Sequence, residues 1–490
     1  MQNSKRALML ILTGMLAISG ASCGGDSPDV VTDAPTDEAT TVTTSGPVET
    51  KPTDDLPSDL DFGGTVINII AEDPSVVMTR KPNLDVAEMD GEVFNDSVYK
   101  RNRALESRLN ILLNETYPGG TTSRVRSNVL AGDDDIDLAC VVDRDALNLY
   151  TEGAIHSYAD IPHLDLTKAY WDQGTLSGMT IAGEALFAYG GMNMTAYGYT
   201  NVLAYNKKLA DDNSLPDLYA AVYDGKWTFD LMASCMKTAH NDVNGNGTYD
   251  DGDVFGMTGR GDKSIPPMWI AAGTKTVHKN DDDIPVYTAY QDEKFQTVFL
   301  RIYDIYKSNN YFTSVKPDPS GDVQADYFLK DGSLFFGSDF NSLGRFLRGM
   351  KSDFGVLPYP KYDEEQENYY SRVEVGFPNV VPVTCTKLEA VGAFLEAGSC
   401  SGYNDSVPAY YDTVLKNKVS RDDDTPAMLD LIFNTRTLDL GDTYWYATIR
   451  APFTEMLDNG GNEIASKSQS VKSAADGIIA EVVAKVKEVK

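Results

Sequence analysis

An alternation of strand-like and helix-like segments, beginning at Phe62, most constrains how this chain can fold. The run Thr65–Ile70 is rich in β-branched residues and short enough for a strand. Over 92–109, apolar residues recur at helical spacing with charged residues between them. A second strand candidate, 136–142, follows an acidic turn. Strand, helix and strand in this order predict an α/β layered domain.

The same alternation resumes after a Gly-Gly break at 190–191. The segment 200–205 is typical of a strand, and 229–238 is typical of a helix that Thr228 caps. Further predicted elements are a helix over 287–308, strands over 333–336 and 355–357, and a C-terminal helix over 466–490.

The N-terminus predicts an export signal over residues 1–22. Lys5 and Arg6 precede an apolar run at 7–18, and small residues follow before Cys23. The run is too short for a transmembrane helix, which needs roughly 20 apolar residues.

Residues 23–61 are predicted to form a disordered tether, because Thr, Asp, Pro, Ser and Gly dominate them and cannot build a core. Bacterial lipoproteins resemble this arrangement: the signal is cut before a cysteine, which is then acylated. We therefore expect Cys23 to be lipidated and the protein to be anchored at the extracytoplasmic face of the cell membrane. An ordinary signal peptide followed by a chance cysteine is the alternative.

The net charge of −31 at pH 7 makes nucleic acid and strongly anionic ligands poor partners. Cys140, Cys235, Cys385 and Cys400 show no metal-ligand spacing. They are expected to be buried thiols. In an exported protein, a disulfide between two of them is the alternative.

A twelve-residue loop at 242–253 has the spacing of a calcium-binding loop. Glycine stands at its sixth position, and Asp253 replaces the usual final Glu, which shortens the reach of that ligand. The alternative is a solvated acidic turn, but a structural Ca²⁺ is the prediction. Its ligands would be Asp242, Asn244, Asn246, Thr248 through its carbonyl, Asp250 and Asp253.

Five short motifs occur in a characteristic order: Asp-Leu-Ala-Cys-Val-Val-Asp-Arg at 137–144, Asn-Val-Leu-Ala-Tyr-Asn-Lys-Lys-Leu at 201–209, Gly-Lys-Trp-Thr-Phe-Asp at 225–230, Gly-Val-Leu-Pro-Tyr-Pro-Lys at 355–361 and Tyr-Trp-Tyr-Ala at 444–447. The motifs and their order resemble those of ABC-type extracellular solute-binding proteins of family 1, the group that includes maltose-binding protein. The resemblance covers the chain from Phe62 onward.

The resemblance implies a two-lobe, periplasmic-binding-protein-like α/β fold of type II, with crossing strands between the lobes and a ligand cleft. Lobe 1 would comprise 62–193 with about 374–412, and lobe 2 about 194–373 with 413–490. The implied function is capture of sugars or oligosaccharides by a monomer that delivers them to the membrane permease subunits of an ABC importer.

The resemblance also implies ligand-binding residues. Asp143 and Arg144 match a pair that hydrogen-bonds sugar hydroxyls, and Trp445 matches an aromatic platform. The open alternative is that Asp143 and Arg144 simply form an exposed ion pair. Where the family has Gly-Pro-Trp, this chain has Gly-Ser-Asp-Phe at 337–340. The remaining predicted contacts are Asp73, Tyr199, Trp269 and Asp339. For Trp269 the open alternative is burial in the core for packing alone.

The sequence has no His-Glu-x-x-His and no phosphate loop, and its one Gly-x-Ser-x-Gly, at 20–24, lies across the predicted cleavage point of the signal peptide. We therefore predict a binding protein and no enzyme. A surface glycan-binding adhesin that is not coupled to transport is the first alternative, and a glycoside hydrolase is the second.

Overall fold

The structure, a computed structural model, describes residues 51–72, 84–250, 252–308, 311–312, 322–411 and 422–489. Apart from Lys51, all of these belong to one compact unit, Pro52–Lys490. The predicted signal peptide, Cys23 and Asp73 lie outside the described residues.

Two sheets and two short strand pairs form the β structure of the described residues. The strands are β1 (Thr65–Ile70), β2 (Ile111–Thr116), β3 (Leu138–Cys140), β4 (Asn201–Asn206), β5 (Phe255–Gly259), β6 (Val277–Lys279), β7 (Pro285–Tyr287), β8 (Tyr311–Phe312), β9 (Ser333–Asp339), β10 (Phe354–Leu357), β11 (Ser371–Arg372), β12 (Asn379–Val380) and β13 (Arg436–Thr437).

Helices pack around both sheets. They are α1 (Val93–Leu109), α2 (Thr121–Ala131), α3 (Asp143–Thr151), α4 (Gln173–Met179), α5 (Thr195–Gly198), α6 (Lys207–Asp212), α7 (Leu218–Tyr223), α8 (Phe229–Ala239), α9 (Gly261–Ala271), α10 (Glu293–Lys307), α11 (Asp322–Leu329), α12 (Phe340–Phe346), α13 (Leu388–Ser401), α14 (Val407–Tyr410), α15 (Thr425–Asn434), α16 (Leu440–Thr443), α17 (Arg450–Asp458) and α18 (Ile464–Val489). No helix in the described ranges has the length and apolar character needed to cross a bilayer.

The first sheet has the strand order β12-β3-β1-β2. Its β1 runs parallel to both β2 and β3, and β12 joins antiparallel to β3. Ile67 and Ile69 of β1 are fully buried, whereas Val66 on the other face is partly exposed. The β-branched run of β1 therefore forms the core of this sheet on one face.

The second sheet has the order β10-β4-β9-β5-β8. Its central strands, β4 and β9, are buried at every residue. Strands covered on both faces read as nearly continuous apolar runs, and both sequences have this character. The chain passes from the first sheet to the second between β3 and β4 and returns between β10 and β12.

The predicted secondary structure is confirmed for most elements. The strand at Thr65–Ile70 is as predicted, α1 covers nearly all of 92–109, and Thr228 caps α8 by accepting a hydrogen bond from the Leu231 N–H. The predicted helix at 287–308 begins too early. Asp292 caps its first turn, so the helix starts at Glu293, and Tyr287 pairs within β7.

The predicted tether is too long at its C-terminal end, because the folded unit begins at Pro52. Asp54 forms an ion pair with Arg108 at 2.6 Å, and the Pro52 carbonyl accepts a hydrogen bond from Cys400 Sγ at 3.2 Å. Leu56 and Leu60 pack against the hydrophobic core. These two partly buried leucines, together with the ion pair and the hydrogen bond, attach this polar segment to the domain.

The four described cysteines are buried, unpaired thiols. Burial raises the pKa of Cys235, Cys385 and Cys400 to about 11, which keeps these side chains neutral. This agrees with the expectation of buried thiols.

Candidate functional site at the sheet crossing

The candidate site lies where chain segments cross between the two sheets. Thr200 forms an isolated antiparallel bridge with Val373, and the Glu374 N–H donates to the Tyr199 carbonyl at 3.1 Å. The short β11 in this crossing pairs with β13, which adds a third segment. Side chains from distant parts of the sequence therefore meet at this point.

Five charged side chains, which we call the crossing network, connect these segments. Lys263 Nζ lies 2.6 Å from Asp339 Oδ2 and 2.9 Å from Glu374 Oε2. Arg372 forms a bidentate pair with Asp442, with Nε to Oδ2 at 2.6 Å and Nη2 to Oδ1 at 2.9 Å. The Arg372 and Asp442 side chains are completely buried. Bidentate pairs of this kind fix geometry as well as charge.

The close pairing keeps the buried charges of the crossing network ionised. Burial alone would favour a neutral Glu374, but Lys263 and Arg372 outweigh it and lower the pKa of Glu374 to about 2. Burial likewise opposes the charge on Lys263, yet Asp339 and Glu374 raise its pKa. Lys263 and Glu374 therefore remain a charged pair at neutral pH.

Asp339, predicted to contact ligand, is instead committed to the protein. Its Oδ2 pairs with Lys263, and its Oδ1 accepts the Ser342 N–H at 2.8 Å, which caps α12. Its side chain is only 1% exposed. The neighbouring Phe340 is buried and stacks on Phe433 with centroids 4.9 Å apart. The Ser-Asp-Phe that departs from the family pattern thus has a structural role.

Asp143 ties the start of α3 to the returning segment. Its Oδ2 accepts the Gly376 N–H at 2.9 Å, and its Oδ1 accepts the Arg144 N–H at 2.8 Å. The residue is 1% exposed. Burial raises the pKa of Asp143 to about 7, even though these hydrogen bonds and Arg144 oppose the shift. Asp143 therefore positions Arg144 and Gly376.

Arg144 reaches an aromatic ring beside the crossing network. Its guanidinium carbon lies 4.8 Å from the centroid of Tyr446, and that of Arg450 lies 5.1 Å from the same centroid. Arg450 Nη1 is 3.2 Å from Asp442 Oδ1, so Tyr446 links Arg144 to the network. Within the described residues, no protein acceptor takes a hydrogen bond from the Arg144 guanidinium.

Tyr199 also lies next to this group, and Trp445 precedes Tyr446 in the chain. The Tyr199 ring is 6.2 Å from that of Phe377, and Lys263 Nζ is 5.6 Å from the Tyr199 centroid. Trp445 is only 3% exposed, whereas Tyr446, the next residue, is half-buried. The aromatic side chain that this segment presents to the surface of the site is therefore Tyr446.

Trp269, predicted to bind ligand, lies in the hydrophobic core and is fully buried. Its ring packs against Phe295 at 5.9 Å and Phe299 at 6.4 Å between centroids. A large aromatic residue on α9 faces α10 because that contact removes the most apolar surface from water. The crossing therefore brings together Asp143, Arg144, Tyr199 and Asp339, whereas the buried Trp445 packs against Tyr444. Trp269 is not part of it, and Asp73 lies outside the described residues.

Sequence reasoning missed Lys263, Arg372, Glu374, Asp442, Tyr446 and Arg450. The partners of Lys263 are 76 and 111 residues away, and Asp442 is 70 residues from Arg372. No local pattern can report such pairs. Tyr446 was within reach, because it belongs to the aromatic motif at 444–447 in which Trp445 was preferred.

The predicted calcium loop wraps around its own polar side chains. Asp242 accepts the N–H groups of Gly245 at 2.7 Å and Gly247 at 2.9 Å, and Asp250 accepts the amides of Asn244 at 3.2 Å and Asn246 at 2.9 Å. An isolated bridge between residues 241 and 254 closes its base.

Asp253 at the end of this loop is 2% exposed and accepts the N–H groups of Val243 and Asp250. In the described part of the chain, no three His, Cys, Asp or Glu side chains are grouped as metal ligands. A cation here would draw on amide and carbonyl oxygens as well as carboxylates, and the Asn244 and Asn246 amides would have to turn their oxygens inward.

No protein-family model and no curated protein matches the chain. Solved structures do match. The ABC substrate-binding protein Lmo0181 from Listeria monocytogenes, in complex with cycloalternan, is 12% identical with a TM-score of 0.54, over 85% of this chain and 99% of that one. The sugar-binding protein MalE from Xanthomonas citri is 10% identical with a TM-score of 0.58, over 87% and 99%.

An ABC transporter solute-binding protein from Thermotoga lettingae, bound to α-D-tagatose, is 13% identical with a TM-score of 0.52, over 85% of this chain and 100% of that one. These matches run over nearly the full length of each relative, so they describe the whole two-lobe architecture and not a shared piece of it. The fold of this chain is therefore that of the maltose-binding-protein-like ABC solute-binding proteins.

Proposed function

We propose that this protein is the extracytoplasmic, lipid-anchored solute-binding component of an ABC importer and that it captures sugars or oligosaccharides without chemical turnover. The observation that carries the proposal is the Arg144 guanidinium beside Tyr446 at the crossing, which has hydrogen-bond donors that no described protein group accepts. The fold supports it, since solved structures with this fold hold cycloalternan and α-D-tagatose.

The chemistry of this site suits a polyhydroxylated ligand. A guanidinium is planar and presents paired N–H donors that match neighbouring hydroxyl oxygens. Tyr446 adds an aromatic edge and a phenol hydroxyl. Each carboxylate of the crossing network is ion-paired, and Arg450 supplies the third cation that balances the three carboxylates, so the network adds no unpaired charge to the site.

A melting-temperature screen tests the ligand class. The purified protein without its signal is heated with sugars, oligosaccharides, polyamines and short peptides, because a ligand at 100 times its dissociation constant adds about 2.7 kcal/mol of stability. We expect a sugar or oligosaccharide to raise the melting temperature. Stabilisation by a polyamine or peptide, with every sugar inert, would reject the carbohydrate assignment.

Transport coupling distinguishes this proposal from a surface adhesin. Deleting the gene should abolish uptake of the identified sugar while leaving the attachment of cells to an immobilised glycan unchanged. The reverse pattern would favour the adhesin, and release of shorter sugars on incubation would favour a glycoside hydrolase. Lipidation of Cys23 is tested by fatty-acid labelling, which Cys23→Ser should abolish.

We further propose that the loop at 242–253 binds a structural Ca²⁺. The support is the spacing of its oxygen side chains together with a chain path that already curls around Asp242 and Asp250. Calcium should raise the melting temperature of the wild type, and Asp242→Ala with Asp250→Ala should remove the effect. A wild-type melting temperature that calcium leaves unchanged would refute this site.

A further inference from the structure

A cavity of about 390 Å³ opens beside the β11–β13 pair. It is bounded by α4, the C-terminal end of α9 and the segment that includes β6. Its walls combine apolar side chains, including Val277, Leu438 and Leu440, with Gly178 and Gly273. The cavity is large enough for a small organic molecule.

The charged lining of this cavity has one sign. Lys275, His278 and Lys279 line it, and its lining residues include neither Asp nor Glu. The chain as a whole has the opposite balance, with 73 acidic and 42 basic residues and a net charge of −31. A basic cavity in an acidic protein favours an anionic occupant.

Lys279 already has a full set of partners. Its Nζ lies 3.0 Å from Asp283 Oδ1 and donates to the Ser177 carbonyl and to Thr180 Oγ1, both at 2.8 Å. The ammonium is therefore neutralised by the protein itself. The charge that remains for an occupant belongs to another residue.

Lys275 carries that charge. Its half-buried Nζ donates to Thr437 Oγ1 at 3.1 Å, and in the described ranges no carboxylate oxygen is within ion-pairing distance. Asp439 is nearby, but its carboxylate accepts the Thr276 N–H and hydroxyl, both at 2.7 Å. Burial lowers the pKa of Lys275, and Lys279 adds to this effect while Asp439 opposes it.

From this geometry we infer that the cavity is a binding site for a small oxyanion, a carboxylate or phosphate group, held by Lys275 with His278 at its rim. An ammonium has three donors, and Thr437 accepts only one. An entering oxyanion would accept the others and supply the missing counter-charge. The apolar wall would accommodate a short aliphatic body attached to the anion.

The test compares anions at matched ionic strength. Melting temperatures of the wild type are measured in sodium phosphate, sodium butyrate and sodium chloride, so that general screening by salt cancels. Phosphate or butyrate should stabilise the protein beyond chloride. Lys275→Gln should weaken the apparent affinity at least about tenfold, as expected for loss of a charge-assisted hydrogen bond, and Lys275→Arg should retain most of it.

Lys208→Gln is the matched control, because it also removes one lysine charge, from an exposed side chain that does not line the cavity. It should leave the anion response unchanged. Equal responses to all three salts, or equal responses of Lys275→Gln and Lys208→Gln, would overturn the inference. A wild-type crystal soaked in selenate gives a readout that needs no variant: an anomalous peak next to Lys275 supports the site, and its absence contradicts it.

Discussion

Lys263→Met removes the ammonium that lies between two buried carboxylates at the crossing. The side chains of Lys263, Asp339 and Glu374 are 16%, 1% and 13% exposed, so water cannot replace the lost partner. Removing one member of a buried pair costs about 3–5 kcal/mol. The lowering of the Glu374 pKa from 4.5 to about 2 corresponds to about 3 kcal/mol, which is the net effect of Lys263, Arg372 and Arg450 against burial.

This substitution also has a pH signature. Because the folded-state pKa of Glu374 is depressed, its stabilising contribution is present above about pH 4.5 and is lost as the pH falls from 4.5 towards 2. In Lys263→Met, Glu374 loses the cation that lowers its pKa most, so its carboxylate accepts a proton at higher pH and acid relieves part of the cost. The difference in unfolding free energy between wild type and variant should therefore be smaller at pH 4 than at pH 7.5.

Urea unfolding followed by circular dichroism at pH 7.5 and pH 4 measures this difference. The double variant Lys263→Met with Glu374→Gln should regain part of the lost stability, and Lys237→Met on the exposed side of α8 serves as the surface control. A loss below about 1 kcal/mol at pH 7.5, or a loss that does not change with pH, would refute the role assigned to the crossing network.

Three further predictions separate core, site and loop. Trp269→Ala should cost about 3–5 kcal/mol of stability without changing the ligand affinity of the folded fraction, whereas Tyr446→Ala should weaken ligand binding with little loss of stability; calorimetry and urea unfolding together distinguish the two. Because burial raises the pKa of Asp143 to about 7, stability should fall as the pH rises from about 4 to 7, and Asp143→Asn should flatten that slope in melting-temperature measurements. Calcium should protect the 242–253 region against hydrogen exchange, and no change in exchange on adding calcium to the wild type would contradict the loop proposal.

Local patterns in the sequence predicted the elements well because local forces set them. The β-branched run at Thr65–Ile70 and the Thr228 cap needed no information from elsewhere in the chain. The strand order could not be read in this way, because β9 lies between β4 and β5 in the sheet yet follows both in sequence. The resemblance to a family predicted two α/β lobes with crossing strands, but it included no strand order.

The candidate site was predictable only in part. Asp143 and Arg144 came from a matched motif, and the structure places both at the crossing. Trp269 shows the opposite case, since an aromatic residue in a sequence gives no sign of whether it faces the core or a ligand. Lys263 and Arg372 are isolated charges in the sequence, and only the fold brings them to their partners.

The central claim is that Arg144 holds a sugar at the sheet crossing. Calorimetric titration of the sugar that stabilises the protein most, against wild type, Arg144→Ala and Arg126→Ala, tests it directly. Arg126 is the matched control, because it lies on α2, which packs against the helix of Arg144, but its side chain is exposed and paired with Glu152. We predict wild-type affinity for Arg126→Ala and at least about tenfold weaker binding for Arg144→Ala. Equal affinities for all three proteins would contradict the claim.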